Sequence, residues 1–212
     1  MPAGDGTPLL AIFVVACAAL TLVGAYAPIP WLVYVFKPLT TALIAVAAFR
    51  VGGEPFYRGA IFAGLAFSLV GDVLLMLPAD RFVAGLAAFF AAHVCYVAAF
   101  LSGGRPNLPL TVLLALLAFA AVLLRVLAAG AGRLLPLASL YAGAPAAMAW
   151  VAVGRWMHLG TPGAATAAVG ACLFVLSDSA LAVDRFGRRF HGAQALVLST
   201  YYAAQWLIAT SA

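Results

Sequence analysis

Two aspartates, Asp72 and Asp178, each stand inside an apolar run long enough to cross a bilayer. A charge at that depth costs about 3 kcal/mol on insertion scales, so it is kept where it pairs, binds or reacts. Paired carboxyls in a poorly hydrated place are suited to acid–base work, because repulsion and desolvation leave one proton shared between them. Their surroundings echo one another. Leu69-Val70-Gly71-Asp72-Val73-Leu74-Leu75 and Phe174-Val175-Leu176-Ser177-Asp178-Ser179-Ala180-Leu181 are each followed by Asp-Arg-Phe, at 80–82 and 184–186. A shift of 106 residues, half the chain, superposes Asp72 on Asp178, Leu75 on Leu181 and Tyr96 on Tyr202, with the Asp-Arg-Phe triplets two residues out of step. The pattern reads as a degenerate tandem duplication with halves 1–106 and 107–212.

The elements that must hold these acids follow from composition. Of the 212 residues 67% are hydrophobic and 8% charged, against roughly half apolar and a quarter charged in soluble domains. This excludes an ordinary soluble protein and predicts an all-α, polytopic membrane protein. Gly, Pro and charged breaks divide the chain into eight spans near 8–26, 31–49, 57–78, 82–101, 108–129, 135–153, 161–183 and 190–210, each close to the ~20 residues a bilayer requires. A β-barrel would need alternation, which is absent. No linker is long enough for a soluble domain, so 1–212 reads as one transmembrane domain. The first span is expected to stay rather than be cleaved as a signal, since Asp5 precedes it and no Lys or Arg does. Cys17, Cys95 and Cys172 have no paired spacing and read as small buried hydrophobes.

Net charge is +5, but the basic residues sit in short loops, which points to membrane topology rather than nucleic acid. Arg50, Arg58, Arg105 and Arg155 fall on one side; Arg81, Arg133, Arg185, Arg188 and Arg189 fall on the other, with Lys37 and Arg125 near it. The slight bias places the loops after spans three, five and seven in the cytoplasm, in an inner or plasma membrane if the chain is bacterial.

A serpentine path puts Asp72 and Asp178 in one leaflet, five or six residues from the predicted ends of their spans, or about 8–9 Å at 1.5 Å per residue. Lys37, His93, Tyr201, Tyr202 and Gln205 fall in the same half of the bilayer. Each also has a plainer reading. A His or Tyr in a membrane helix can be an interhelical hydrogen-bond partner, Lys37 can snorkel to the interface, and Arg188, Arg189 and His191 can form a solvated loop. A structural ion pair with Lys37 would account for one Asp and leave the other over.

Lys37-Pro38-Leu39-Thr40-Thr41, Gly71-Asp72-Val73-Leu74-Leu75, the Gly85…Phe89…Ala92-His93…Tyr96 segment, Ser177-Asp178-Ser179 and Tyr201-Tyr202-Ala203-Ala204-Gln205 together resemble the YhhN-like lysoplasmalogenase family. Spans one, five and six carry no comparable word. The resemblance implies an eight-helix enzyme that hydrolyses the vinyl ether bond of a lysophospholipid, giving a fatty aldehyde and a glycerophospho-headgroup. Catalysis would then rest on Asp72 and Asp178, one donating a proton to the β-carbon and the other steadying the oxocarbenium ion and orienting water. Tyr201, Tyr202, Gln205 and His93 would place water or substrate oxygens. Lys37 or the Arg185–Arg189 loop would hold the phosphate. The acids should line one cavity, with an apolar tunnel beside it for the alkenyl chain.

No metal or other cofactor is expected. Two rival readings are a transporter built on the parallel repeat and a zinc hydrolase using Asp72, Asp178, His93 and His191. The confinement of charge to one leaflet argues against the first, and the scarcity of intramembrane histidines against the second.

Overall fold

The computed structural model describes residues 7–104 and 106–211; Asp5 and Arg105 lie outside the described residues. These residues form eight α-helices: α1 (Thr7–Tyr26), α2 (Pro30–Arg50), α3 (Pro55–Met76), α4 (Phe82–Leu101), α5 (Leu110–Ala131), α6 (Leu135–Leu159), α7 (Pro162–Phe186) and α8 (Ala193–Ala209), with one 3-10 turn at Gly132–Leu134. Proline opens α2, α3 and α7, where the missing N–H is no loss and φ is already helical. The Glu54 carboxylate caps α3 by accepting from the Phe56 and Tyr57 amides at 2.9 and 2.6 Å.

Several boundaries differ from expectation, and three of the differences have a plain cause. α3 stops at Met76 rather than 78, since Pro78 disfavours helix at the residue before it. α6 runs six residues past 153 to Leu159, because Arg155 and His158 are ordinary helix residues and the first true terminator is Gly160, at φ 63°. α7 likewise continues through Asp184 and Arg185 to Phe186 and stops at Gly187.

Among the described residues six tracts are long and apolar enough to cross a bilayer, one of which, 110–159, contains both α5 and α6. α8, at 17 residues, spans only about 25 Å and is the shortest of the bundle. The protein is a polytopic, integral membrane protein. Its outer face carries Phe13, Phe49, Leu110 and Val122 exposed, as a lipid-facing surface requires.

The tightest pairings are α3 with α4 and α7 with α8. Small residues permit them. A Cβ at Gly71 would come within 2.6 Å of the Phe89 ring, and one at Gly64 would overlap the Tyr96 ring. α2 packs on α8, and α4 on α6, joining the two halves. Toward the side away from the acids, Ile61, Leu65, Phe100, Met148 and Ile208 fill the core with no more than 2% exposure. α5 is the loose member: it packs on α6, α7 and the intervening turn, and buries only Leu127 and Ala131.

Candidate active site

Asp72 lies four residues before the end of α3 and is 1% exposed. Its Oδ2 accepts from the Thr41 hydroxyl at 2.6 Å and from the Tyr201 hydroxyl at 2.8 Å, and Lys37 Nζ stands 3.5 Å from Oδ1. Lys37 and Thr41 are one helical turn apart on α2, so they present to the same face. All three neighbours are donors, a set that suits an anion.

Asp178, on α7, is wired differently. Its Oδ2 accepts from the Tyr141 hydroxyl of α6 at 2.8 Å and lies 3.5 Å from His93 Nε2, a separation that admits an ion pair but not a formed hydrogen bond. His93 is fully buried, and its Nδ1 is 2.6 Å from the Phe89 carbonyl. A carbonyl can only accept, so Nδ1 carries a hydrogen, and Nε2 of a neutral ring is bare. A bare nitrogen and a carboxylate would face each other as two acceptors. One proton resolves the conflict, whether it rides on Asp178 or on the ring. Phe174 holds the imidazole in place, 4.6 Å away in a T-shaped contact, and also packs edge-on against Tyr201.

Both acids line one cavity of about 530 Å³, together with Lys37, Tyr201, Arg185 and Arg189. Its mouth is formed by Pro78, Asp80 and Arg81 of the α3–α4 connection and by Asp184 and Arg185 near the end of α7, so it opens on the side where α3 and α7 end. At that mouth Arg185 bonds Asp80 through both carboxylate oxygens, at 3.0 and 2.7 Å, with its guanidinium 4.9 Å over the Phe82 ring. Exposed pairs of this kind add at most ~1 kcal/mol; this one fixes where the two ends meet.

Six of the nine expected site residues thus share the cavity. His93 reaches it through Asp178. Tyr202 and Gln205 are buried on α8 but do not line it; Gln205 Oε1 accepts from Tyr96 at 2.6 Å, while Gln205 Nε2 and the Tyr202 hydroxyl have no hydrogen-bond partner among the described residues. His191, needed by the zinc reading, is exposed. Among the described residues no three His, Cys, Asp or Glu side chains group as a metal site.

Two residues escaped the sequence reading. Thr41 carried a signal in its spacing of four from Lys37. Tyr141 sits six residues into α6 from the side of the mouth, which is the depth of the acids, although its span has no motif.

The residues from 32 to 212 match the model of the YhhN family. The chain belongs to the YhhN family. It is 30% identical over 201 residues to the uncharacterized membrane protein YhhN of Escherichia coli, covering 94% of this chain and 97% of that one. It is 35% identical over 183 residues to the human lysoplasmalogenase TMEM86B, covering 86% of this chain and 76% of that protein, and 33% identical over 163 residues to the human lysoplasmalogenase TMEM86A, covering 72% and 64%. No solved structure matches significantly. The YhhN-family match begins within α2, so it takes in every acid, base and hydroxyl of the cavity and omits α1.

Proposed function

We propose that this protein is a lysoplasmalogenase-like hydrolase that cleaves the vinyl ether bond of a lysophospholipid, with Asp178 as proton donor and Asp72 as the standing anion. The observation that carries this reading is the unlike wiring of two carboxyls on one cavity: three donors around Asp72, and a proton-holding partner at Asp178. The names of the family relatives support the reaction class.

The chemistry follows. Asp178 delivers its proton to the β-carbon of the alkenyl ether, and the C=C electrons form that C–H bond. The ether oxygen then shares the positive charge of the resulting oxocarbenium ion, which the Asp72 carboxylate stabilises across the cavity. Water adds to the cationic carbon and returns a proton to the Asp178 carboxylate, leaving a hemiacetal. Collapse of the hemiacetal breaks the remaining C–O bond, releasing the aldehyde and a glycerol hydroxyl. One water is consumed and both acids end as they began. His93 and Tyr141 position Asp178; Thr41 and Tyr201 position Asp72. Lys37, Arg81 and Arg189 at the polar end of the cavity suit a phosphate headgroup.

The test is aldehyde release from a lysoplasmalogen by the purified protein in detergent. Asp72→Asn and Asp178→Asn should each lower turnover by at least about 100-fold, the scale of a positioned acid or base, with folding verified by thermal denaturation. Reaction in D₂O should place one deuterium on the aldehyde's α-carbon, trapped at once as its hydrazone. Near-wild-type turnover in either variant, or activity abolished by a chelator and restored by zinc, would overturn the mechanism.

A further inference from the structure

Asp178 forms part of the wall of a second, apolar cavity that Asp72 does not line. This narrow void of about 40 Å³ lies among α4, α5, α6 and α7 and shares Phe82, Leu181 and Asp178 with the polar cavity. A third space, about 210 Å³ and lined almost wholly by apolar groups of α4 and α6, shares Leu86 and Tyr141 with the narrow one. Phe90 and Leu140 in its wall are exposed on the lipid-facing surface. The order from bilayer to acid is therefore lateral groove, Leu86 and Tyr141, narrow void, Asp178.

We infer that this succession is the binding path of a single unbranched hydrocarbon chain, which enters sideways between α4 and α6 and brings its ether-bearing end to Asp178. The inference rests on the proposed vinyl ether hydrolysis and adds to it where the chain lies and how it arrives. Three observations specify the occupant. The path adjoins the acid cavity, with Phe82, Asp178 and Leu181 in the walls of both. Its lining offers almost no polar group other than the Asp178, Tyr141 and Ser179 side chains. Its inner stretch holds only about 40 Å³, which leaves little room for a second chain. The movable wall is α5, whose backbone packs closely on none of α1 to α4 among the described residues and which buries only two residues, so it can swing outward as a chain threads in. Tyr141 does two things on this path: it bounds both spaces and donates to Asp178, so a chain displacing the phenol would free the carboxyl just as substrate arrives.

Each methylene transferred to an apolar site is worth roughly fourfold in affinity, so blocking the path should shorten the chain preferred. Ala182 lines the narrow void. In Ala182→Trp, the kcat/KM ratio of a sixteen-carbon to an eight-carbon 1-alkenyl lysolipid should fall at least about tenfold; an unchanged ratio overturns the proposal. A second measurement needs no turnover. A saturated 1-alkyl lysolipid carrying a diazirine at its chain end should, on illumination, label peptides of α4, α5 or α6. Labelling confined to α1, α2 or α8 overturns the path, and competition by a two-chain phosphatidylcholine as effective as by a lysolipid would make it a general bilayer-lipid groove instead. Failure of aldehyde release with labelling intact would remove the hydrolase reading and leave the chain site standing.

Discussion

The Asp72 carboxylate and the Lys37 ammonium show what single residues contribute. Lys37 keeps 14% of its side chain accessible while Asp72 keeps 2%, so the lysine carries the charge from the polar cavity to the acid. Removing one partner of a largely buried pair strands the other, a loss of about 3–5 kcal/mol where the pair is fully enclosed. Lys37→Met should therefore lower the denaturation temperature in detergent more than Asp72→Asn does, and the double variant should regain much of that stability without regaining activity. A double variant no more stable than Lys37→Met would show that the two side chains are not coupled. At this scale the sequence was informative wherever a polar group was out of place in an apolar run, which is how Asp72, Asp178, Lys37, His93 and Tyr201 came forward. It offered Lys37 as an ion-pair partner for one of the two acids without saying which, and was silent on the other partners. Tyr202 is turned about 100° away from Tyr201, and Gln205, on the same face one turn further on, lies about 6 Å farther from the mouth, so neither lines the cavity as Tyr201 does. Tyr141 was hidden because tyrosine is common in membrane helices and nothing near it is charged.

At the scale of elements, helix number and order were legible because Pro and Gly breaks coincide with the solvent, whereas charged residues proved to be poor terminators: α6 and α7 run through theirs. The contacts between helices were beyond the sequence. The packing is nonetheless patterned. Asp72 on α3 is reached from α2 and α8, and Asp178 on α7 is reached from α6 and α4; the exchange of α2 with α6 and α8 with α4 is what two four-helix repeats about an axis along the membrane normal would produce. We propose that the halves 1–106 and 107–212 form such a repeat, whose two equivalent acids have unlike neighbours. Both acids depend on close helix approach. Gly71→Ala forces a Cβ to within 2.6 Å of the Phe89 ring, and overpacking of this kind costs about 1–3 kcal/mol. The carbonyl of Phe89 holds His93, so activity should fall with stability. At Gly143 of α6, by contrast, an added methyl would meet nothing within 4 Å among the described residues, so Gly143→Ala should leave thermal stability unchanged or slightly raised. Equal destabilisation by both changes would contradict the close-approach argument.

For the molecule as a whole, the distribution of charge and the position of the cavity bear on the same question. The acids, the mouth and the surplus arginines occupy one side, while the other half of the bundle is filled by the apolar core of Ile61, Leu65, Phe100, Met148 and Ile208, which is why a hydrolase fits better than a transporter with a polar path across the membrane. With eight helices in series, the loops after α3, α5 and α7 share the side of the mouth, and the start of α1 and the end of α8 share the opposite one. Arg81, Arg133, Arg185, Arg188 and Arg189 all flank the mouth side. By the positive-inside rule the mouth is expected to face the cytoplasm. Of the cysteines expected to be buried, Cys17 is buried, Cys95 half-buried and Cys172 exposed, but all three lie within helices, so a loop cysteine can be read against a low background. Arg188→Cys should resist a membrane-impermeant maleimide applied to intact cells and react after permeabilisation, whereas Gly52→Cys, between α2 and α3, should react in intact cells. The reverse pattern would turn the protein over in the membrane and send its product to the outside, and labelling of both positions from one side would break the eight-span path on which the shared cavity depends.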